Sequence, residues 1–256
     1  MNRQSVTGGL RGKRMSVTEN QQFTDVSRIG IPVSSRQRAA RVQGWRAAGR
    51  ALISGYVDSF TLLNFGVYAS FMSGNTTSAG LHAGYAKFAL AGHSLLPIPF
   101  FVLGIFIGTL LALAKLNHGS TPHSFLVAAL LMVGIAAMYF GGPGWLSITV
   151  LSTAMGIMNT SITHVGGQAV NLGFVTGDLN NFAQRLAMGI RRDPVPLRQG
   201  SWDNHWWRAA LLAGIWTAFL IGAALGAALA SRFTIWALLL PVVALLVFGV
   251  LEPAAN

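Results

Sequence analysis

Cysteine is absent from all 256 residues, which removes disulfides, thiolate metal sites and a cysteine nucleophile together. Charge is nearly as scarce. Only 10% of the residues are Asp, Glu, Lys or Arg, whereas a soluble domain carries about 25%. A chain this poor in charge cannot cover a globule with polar surface. With 52% hydrophobic residues and a mean hydropathy of +0.53, it reads as an all-α polytopic membrane protein, with the lipid bilayer as its first partner. Phosphate loops, dinucleotide fingerprints and the HExxH pattern are missing too. No ATP-driven pump or zinc hydrolase is therefore written in this chain, no cofactor or metal is expected, and the protein reads as a non-enzyme.

The charge that is present is lopsided. Ten of the 18 Lys and Arg residues lie in residues 1–50, opposed there only by Glu19 and Asp25. Basic residues beside a membrane segment are retained inside the cell, so the sequence pI of about 11.4 is first a sign of topology, with the N-terminus cytoplasmic. Aromatic residues do not interleave with the basic ones, and no nucleic-acid partner is expected. Residues 1–44 are rich in Ser, Arg, Gln and Gly without an apolar period, and are read as a disordered basic cytoplasmic tail. A transit peptide shares that composition. No secretory apolar region precedes Ala51.

Residues 45–252 form a single expected transmembrane domain. Five stretches are apolar enough to cross a ~30 Å hydrocarbon core: 95–114, 124–140, 145–163, 209–230 and 233–251. Residues 51–72 qualify apart from Asp58, and 76–90 and 169–190 are weak. Trp45, Trp145, Trp202, Trp206 and Trp207 flank these stretches, where indole rings favour the headgroup region. The order repeats in residues 45–141 and 144–252: a helix bearing a polar residue, a weak segment, two strong helices. Gly55 and Asp58 answer to Gly156 and Asn159, 101 positions on, and Ser73-Gly74-Asn75 answers to Thr176-Gly177-Asp178, 103 positions on. Two repeated halves follow, with a two-residue insertion between the motifs. If both weak segments cross, the fold has eight spans in parallel halves. If both only dip into the bilayer, it has six spans in inverted halves.

A helix that starts inside a membrane leaves unpaired N–H groups. Ser, Thr, Asn or Asp at its start can accept them, and glycine permits the sharp turn before it. "SGNTT" and "TGDLNN" therefore read as broken-helix junctions, with Asn75 and Asp178 as caps. Capping alone accounts for Ser73, Asn75, Thr176 and Asp178. Yet broken helices at equivalent points of two repeats are also where many transporters hold solute. Asp58 is harder to assign to structure, since a carboxylate within a span costs about 2.5–3.5 kcal/mol on insertion scales and usually faces a cavity or a partner. The candidate solute or ion site is Asp58, Asn159, Asn75, Asp178, Ser73, Thr176, Gly74 and Gly177, with a small solute and a proton or cation as its ligands.

Other features carry less chemistry. Gly80/Gly84, Gly104/Gly108 and Gly222/Gly226 have the GxxxG spacing that lets helices approach. The six histidines lack metal-ligand spacing, Lys87 and Arg185 are expected to snorkel, and Pro241 to kink the last helix. A Ser73–His164 dyad would make an intramembrane hydrolase. Thr176 at the matching position of the second half speaks for a cap over a nucleophile.

The pattern "GYVDSFTLLNFGVYASFMSGNTTSAG" with the later "MGIMNT…VTGDLNNFA" resembles the YoaK family of bacterial inner-membrane proteins, domain of unknown function 1275, over roughly residues 45–250. Ser73 stands where that family commonly has threonine, and Asp178 where asparagine is common. The resemblance implies a multi-pass fold in a bacterial inner membrane and supplies no activity. The function expected from the residues is a small-solute permease with its site between the halves; the alternative is a non-transporting scaffold, sensor or assembly partner. Oligomeric state is left open.

Overall fold

A computed structural model describes residues 32–114, 121–173 and 175–251. The described chain is helical throughout, apart from one hairpin of two-residue strands: α1 (Val33–Phe65), α2 (Met72–Gly84), α3 (Phe88–Leu95), α4 (Pro97–Leu113), α5 (Thr121–Tyr139), α6 (Gly144–Asn159), β1 (His164–Val165), β2 (Gln168–Ala169), α7 (Val175–Arg191), α8 (His205–Phe233), a 3-10 turn (Thr234–Leu238) and α9 (Leu239–Leu251). The strands pair antiparallel, Val165 opposite Gln168.

The expected boundary at residue 45 moves. Helix α1 begins at Val33, so residues 33–44 belong to the helix; residues 1–31 of the expected tail lie outside the described residues. Pro32 ends the chain before it, and its carbonyl accepts the Ser35 hydroxyl at 2.6 Å. The Ala, Arg and Gln residues that follow are strong helix formers, and Ala40 and Ala47 are buried. Propensity carries this part of the helix without an apolar stripe.

Neither weak segment forms a helix long and apolar enough to cross a membrane. The first breaks at Tyr85–Lys87, where Ala86 has φ 55°. That leaves α2 with 13 residues, roughly 20 Å at 1.5 Å per residue. The second gives its first residues to β2 and the connector, leaving α7 with 17 residues that include Asp178, Arg185 and Arg191. Two helical runs do pass that test, 26 residues over Phe88–Leu113 and 47 over His205–Leu251, and His123–Tyr139 is a shorter apolar helix. The longer run is broken at Thr234, with φ 48°.

Helix directions follow from who meets whom. Gly144 at the start of α6 faces the Phe65 ring at the end of α1, a methyl built there lying 3.7 Å from it, and Gly44 near the start of α1 faces Val165 beyond the end of α6 at 3.9 Å. Helices α1 and α6 thus run antiparallel. Helix α5 runs with α1: Arg50 donates to the Ser124 hydroxyl at 3.2 Å, and at the other end Tyr56 donates to the Ala237 carbonyl at 2.8 Å, beside the Tyr139–Trp236 ring pair. Helix α9 returns, with Gly249 against Phe125 and Phe248 against Gly49.

Glycines set the two tightest helix pairs. On α1 and α8, Gly55 abuts the Phe219 carbonyl and the Ala223 N–H, Gly222 abuts the Leu52 carbonyl, and Gly226 abuts that of Tyr56. On α6 and α4, Gly156 abuts the Phe101 carbonyl and the Ile105 N–H, Gly104 abuts the Thr153 carbonyl, and Gly108 lies against Ile157. The second set is the first with every partner moved to its matching position. Backbones meet here with no room for a side chain, the close approach that small residues permit. Of the three GxxxG spacings, Gly80/Gly84 does not serve this purpose: among the described residues nothing lies within 4 Å of a Cβ at either position. Around the seams Tyr56, Phe60, Leu131, Leu151, Met155 and Leu245 fill the main core.

Valine at Gly222 must therefore separate α1 from α8. We expect Gly222→Val to lower the melting temperature of the purified chain in detergent or abolish folded yield, overpacking costing about 1–3 kcal/mol or more. Gly80→Ala should fold as the parent does and melt at or slightly above its temperature, alanine being favoured over glycine in a helix interior by roughly 0.5–1 kcal/mol.

Candidate functional site

Seven residues before its end, α1 carries Asp58, 3% exposed. The helix stops at Gly66, whose left-handed φ of 72° closes it with an N–H bond to the Leu62 carbonyl. The connector then folds back along the helix. Thr61 Oγ1 accepts the Ala69 N–H at 3.1 Å. Asp58 accepts the Ser70 N–H on Oδ1 and the Ser70 hydroxyl on Oδ2, both at 2.6 Å, while the hydroxyls of Ser54 and Ser70 lie 3.0 Å apart. Asn75 holds the other side of the connector. Its Oδ1 accepts the Tyr68 N–H at 2.9 Å and its Nδ2 donates to the Tyr68 carbonyl at 2.7 Å.

The later segment repeats this arrangement. Asn159, at the end of α6, accepts the Gly173 N–H at 3.3 Å, as Asp58 accepts that of Ser70. Asp178 Oδ1 accepts the Asn171 N–H at 3.2 Å, as Asn75 accepts that of Tyr68. Every residue stands 101 or 103 positions from its counterpart. The two connectors also touch at matched residues, a methyl on Gly173 lying 3.1 Å from Ser70 Oγ.

This geometry corrects the capping assignment. Asn75 and Asp178 are not N-caps. Phe71 occupies that place for α2 and no side chain caps it, while Asp178 sits inside the first turn of α7. Each helix starts early enough to put the polar residue on its inner face, where it ties down the loop behind it. Ser73 and Thr176 are exposed, and Asn159, Gly74 and Gly177 are half-buried. Gly74 packs against the rings of Phe71 and Tyr68.

A cavity of about 280 Å³ opens where the segments meet, lined by Gly55, Asp58, Ser59, Tyr68 and Phe71 from one side and by Val175, Thr176, Phe219 and Ala223 from the other. Of the expected site residues it gathers Asp58 and Thr176; Asn159, Asn75, Asp178, Ser73, Gly74 and Gly177 stand outside its lining. The Ser73–His164 dyad has no hydrogen bond among the described residues. His164 Nδ1 lies 3.2 Å from Thr163 Oγ1 instead.

Sequence reading passed over a second polar cluster, between α7 and α8. Arg208 and Asp203, 1% and 0% exposed, form a two-pronged ion pair at 2.7 and 2.8 Å, and Arg208 also donates to the Pro196 carbonyl. Arg185 donates to Gln168 at 2.8 Å, tying α7 to the hairpin. Asn204 caps α8 through the Trp207 N–H at 2.8 Å. The signal was Asn204 standing three residues before Trp207 at a helix start, the N-cap pattern. Burial alone would raise the Asp203 carboxyl, but the hydrogen bonds from Arg208 and the Gln199 N–H prevail and hold it below the usual carboxylate range.

Because that carboxyl is depressed, the pair's stabilisation is complete above the ordinary carboxylate pKa and is lost as pH falls through the lower folded value. Arg208→Met should leave Asp203 buried without its partner, costing about 3–5 kcal/mol. Melting curves at neutral pH will show the loss, and Asp203→Asn added to Arg208→Met should recover part of it.

Comparison with known proteins gives the family. The family model described as "Protein of unknown function (DUF1275)" matches residues 47–251. The chain belongs to this family. It is 29% identical over 195 residues to a UPF0700 transmembrane protein of Rhizobium meliloti (strain 1021), an alignment covering 74% of the chain and 78% of that relative. No solved structure matches. With its two long apolar helical runs, the DUF1275 chain is a membrane protein.

Proposed function

We propose that this DUF1275 protein is a small-solute permease of the bacterial inner membrane, built from two inverted halves, with its site in the cavity beside Asp58. The observation that carries the reading is that cavity: an intramembrane carboxylate at the meeting of two matched connectors, with Thr176 and an apolar wall of Phe71, Val175, Phe219 and Ala223 around it. Such residues face cavities or partners, and paired repeats of this kind hold solute at their interface. The chemistry suits a solute with a donor or positive charge for Asp58 and a small apolar body.

Six crossings fit the geometry: α1, α3 with α4, α5, α6, α8 and α9. The antiparallel course of α1 and α6 supports inverted halves. It also gathers the starts of α1 and α8 and the end of α7 on one face, bringing Arg36, Arg38, Arg41, Arg46, Arg191, Arg192 and Arg198 together against Lys87 and Arg232 on the other. By the positive-inside rule the first face is cytoplasmic.

Single cysteines in this cysteine-free chain test the topology. Tyr85→Cys and Leu197→Cys, at sites 70% and 71% exposed, should react with a membrane-impermeant maleimide from opposite faces of intact cells and inverted vesicles. Reaction from one shared face would mean parallel halves and overturn the inversion.

The function is tested in proteoliposomes with a panel of labelled small amines and neutral polar solutes. The wild-type chain should accumulate at least one of them over empty vesicles. Asp58→Asn should reduce that uptake tenfold or more while the protein still elutes as a folded species. A second reading rests on the bonds of Asp58 to Ser70: both carboxylate oxygens are already engaged, as in a scaffold whose polar groups only hold connectors. On that reading no solute accumulates, and Asp58→Asn changes the melting temperature alone.

A further inference from the structure

At the residue that ties each connector to the following helix, Asn75 in one and Asp178 in the other, the two side chains differ in one heavy atom. In the first, Asn75 offers the Tyr68 peptide an acceptor and a donor, Oδ1 for the N–H and Nδ2 for the carbonyl. In the second, Asp178 stands in the place of Asn75 and Asn171 in that of Tyr68, both 103 positions on. Oδ1 again accepts the peptide N–H, at 3.2 Å. The remaining oxygen, Oδ2, is buried and has no hydrogen-bond partner among the described residues, in a residue 1% exposed. A carboxylate offers only acceptors, and in this register Oδ2 takes the place of a nitrogen that donates to a carbonyl.

We propose that Asp178 is a proton-binding site, carrying its proton on Oδ2 and donating it to the Asn171 carbonyl. The protonated acid then makes both bonds that Asn75 makes in the other half. A bare carboxylate oxygen buried without a donor is among the costlier arrangements in a protein interior, and such groups neutralise in preference to staying charged. The first turn of α7 favours the anion through the helix dipole, but that effect is small beside the burial of an unpaired charge.

Among the described residues, the surroundings hold no cation that could take the proton's role. Helix α8 packs along α7 with Gly189 against His205 and Trp206, so its titratable residues His205 and Arg208 lie at the far end of α7. There Arg208 is engaged by Asp203, and His205 Nε2 lies 3.1 Å from the Asp193 carbonyl. Arg185, two turns along α7, is turned to Gln168. From Ala209 to Ser231 helix α8 has no ionisable side chain. Helix α1 contributes Asp58, which accepts two bonds from Ser70, and Arg50, which donates to Ser124. Asp178 and Asp58 are thus opposite cases: one acid short of a donor, the other supplied twice.

This inference deepens the permease reading by naming the proton as its coupling ion, but the bound proton itself does not depend on transport. The experiment is infrared spectroscopy of the purified full-length chain in detergent at neutral pH, read at the protonated-carboxyl C=O stretch. The band should be present in the wild type, absent from Asp178→Asn and retained in Asp58→Asn. Asp178→Asn should melt within about 2 °C of the wild type, since it copies the Asn75 arrangement. If Asp178→Asn fails to fold, Asn75→Asp places the same acid in the mirror connector and should add a second band. No band in the wild type, a band unchanged by Asp178→Asn, no added band in Asn75→Asp, or a melting temperature that rises with sodium chloride but not with choline chloride would each overturn the assignment. Failure of solute uptake with the band intact would sink the permease and leave the proton site standing.

Discussion

Backbone against backbone is the contact on which the rest depends. Helices in lipid gain little from burying apolar side chains against one another, so close packing of small residues supplies much of their attraction. In this chain it is concentrated where Gly55 meets Phe219 and Ala223 and where Gly156 meets Phe101 and Ile105. These two seams hold α1 on α8 and α6 on α4. They also fix the height at which Asp58 and Asn159, each three residues past its seam glycine, confront the connectors. The cavity and the stitched loops are where they are because those glycines leave no alternative register.

The connectors solve a second constraint. Buried chain that leaves a helix must satisfy its own polar groups. Here one polar side chain on the preceding helix and one on the following helix do so, reaching the peptides of Ser70 and Tyr68 in one place and of Gly173 and Asn171 in the other. Asp58 is consequently a structural acceptor as well as part of a cavity wall. Asn and Asp trade places between the two connectors because each position needs an acceptor for an N–H, which both residues provide.

The correspondence of Asp58 with Asn159 and of Asn75 with Asp178 was legible in the sequence because polar residues stand out in apolar surroundings. The two-residue difference in spacing reappears as the different reach of Asp58 to Ser70 and of Asn159 to Gly173. What Asn75 and Asp178 bond to was not legible. Composition marks a helix start only within a turn, and one turn separates a cap from a residue that reaches backwards. Residues 33–44 escaped for another reason: they are helical by propensity and bury one alanine, Ala40, with no stripe for a periodicity argument to find. Gly80 and Gly84 have the spacing of a packing motif but no neighbour, which spacing alone cannot reveal. The Asp203–Arg208 pair was hidden because five residues of separation crosses a helix boundary and matches no helical repeat.

The seams also impose an order on biogenesis. Leu52 waits for Gly222, and Tyr56 for Gly226, about 170 residues further along the chain. At synthesis rates of roughly 5–20 residues per second, that is on the order of ten to thirty seconds. During that interval the first helix has its tightest surface uncovered. Helices α4 and α6, only about 50 residues apart at their seam, can close much sooner. The inner pair therefore assembles first and the outer pair clasps around it. A chain that stops short of α8 leaves Gly55 without the Phe219 and Ala223 backbone that closes over it.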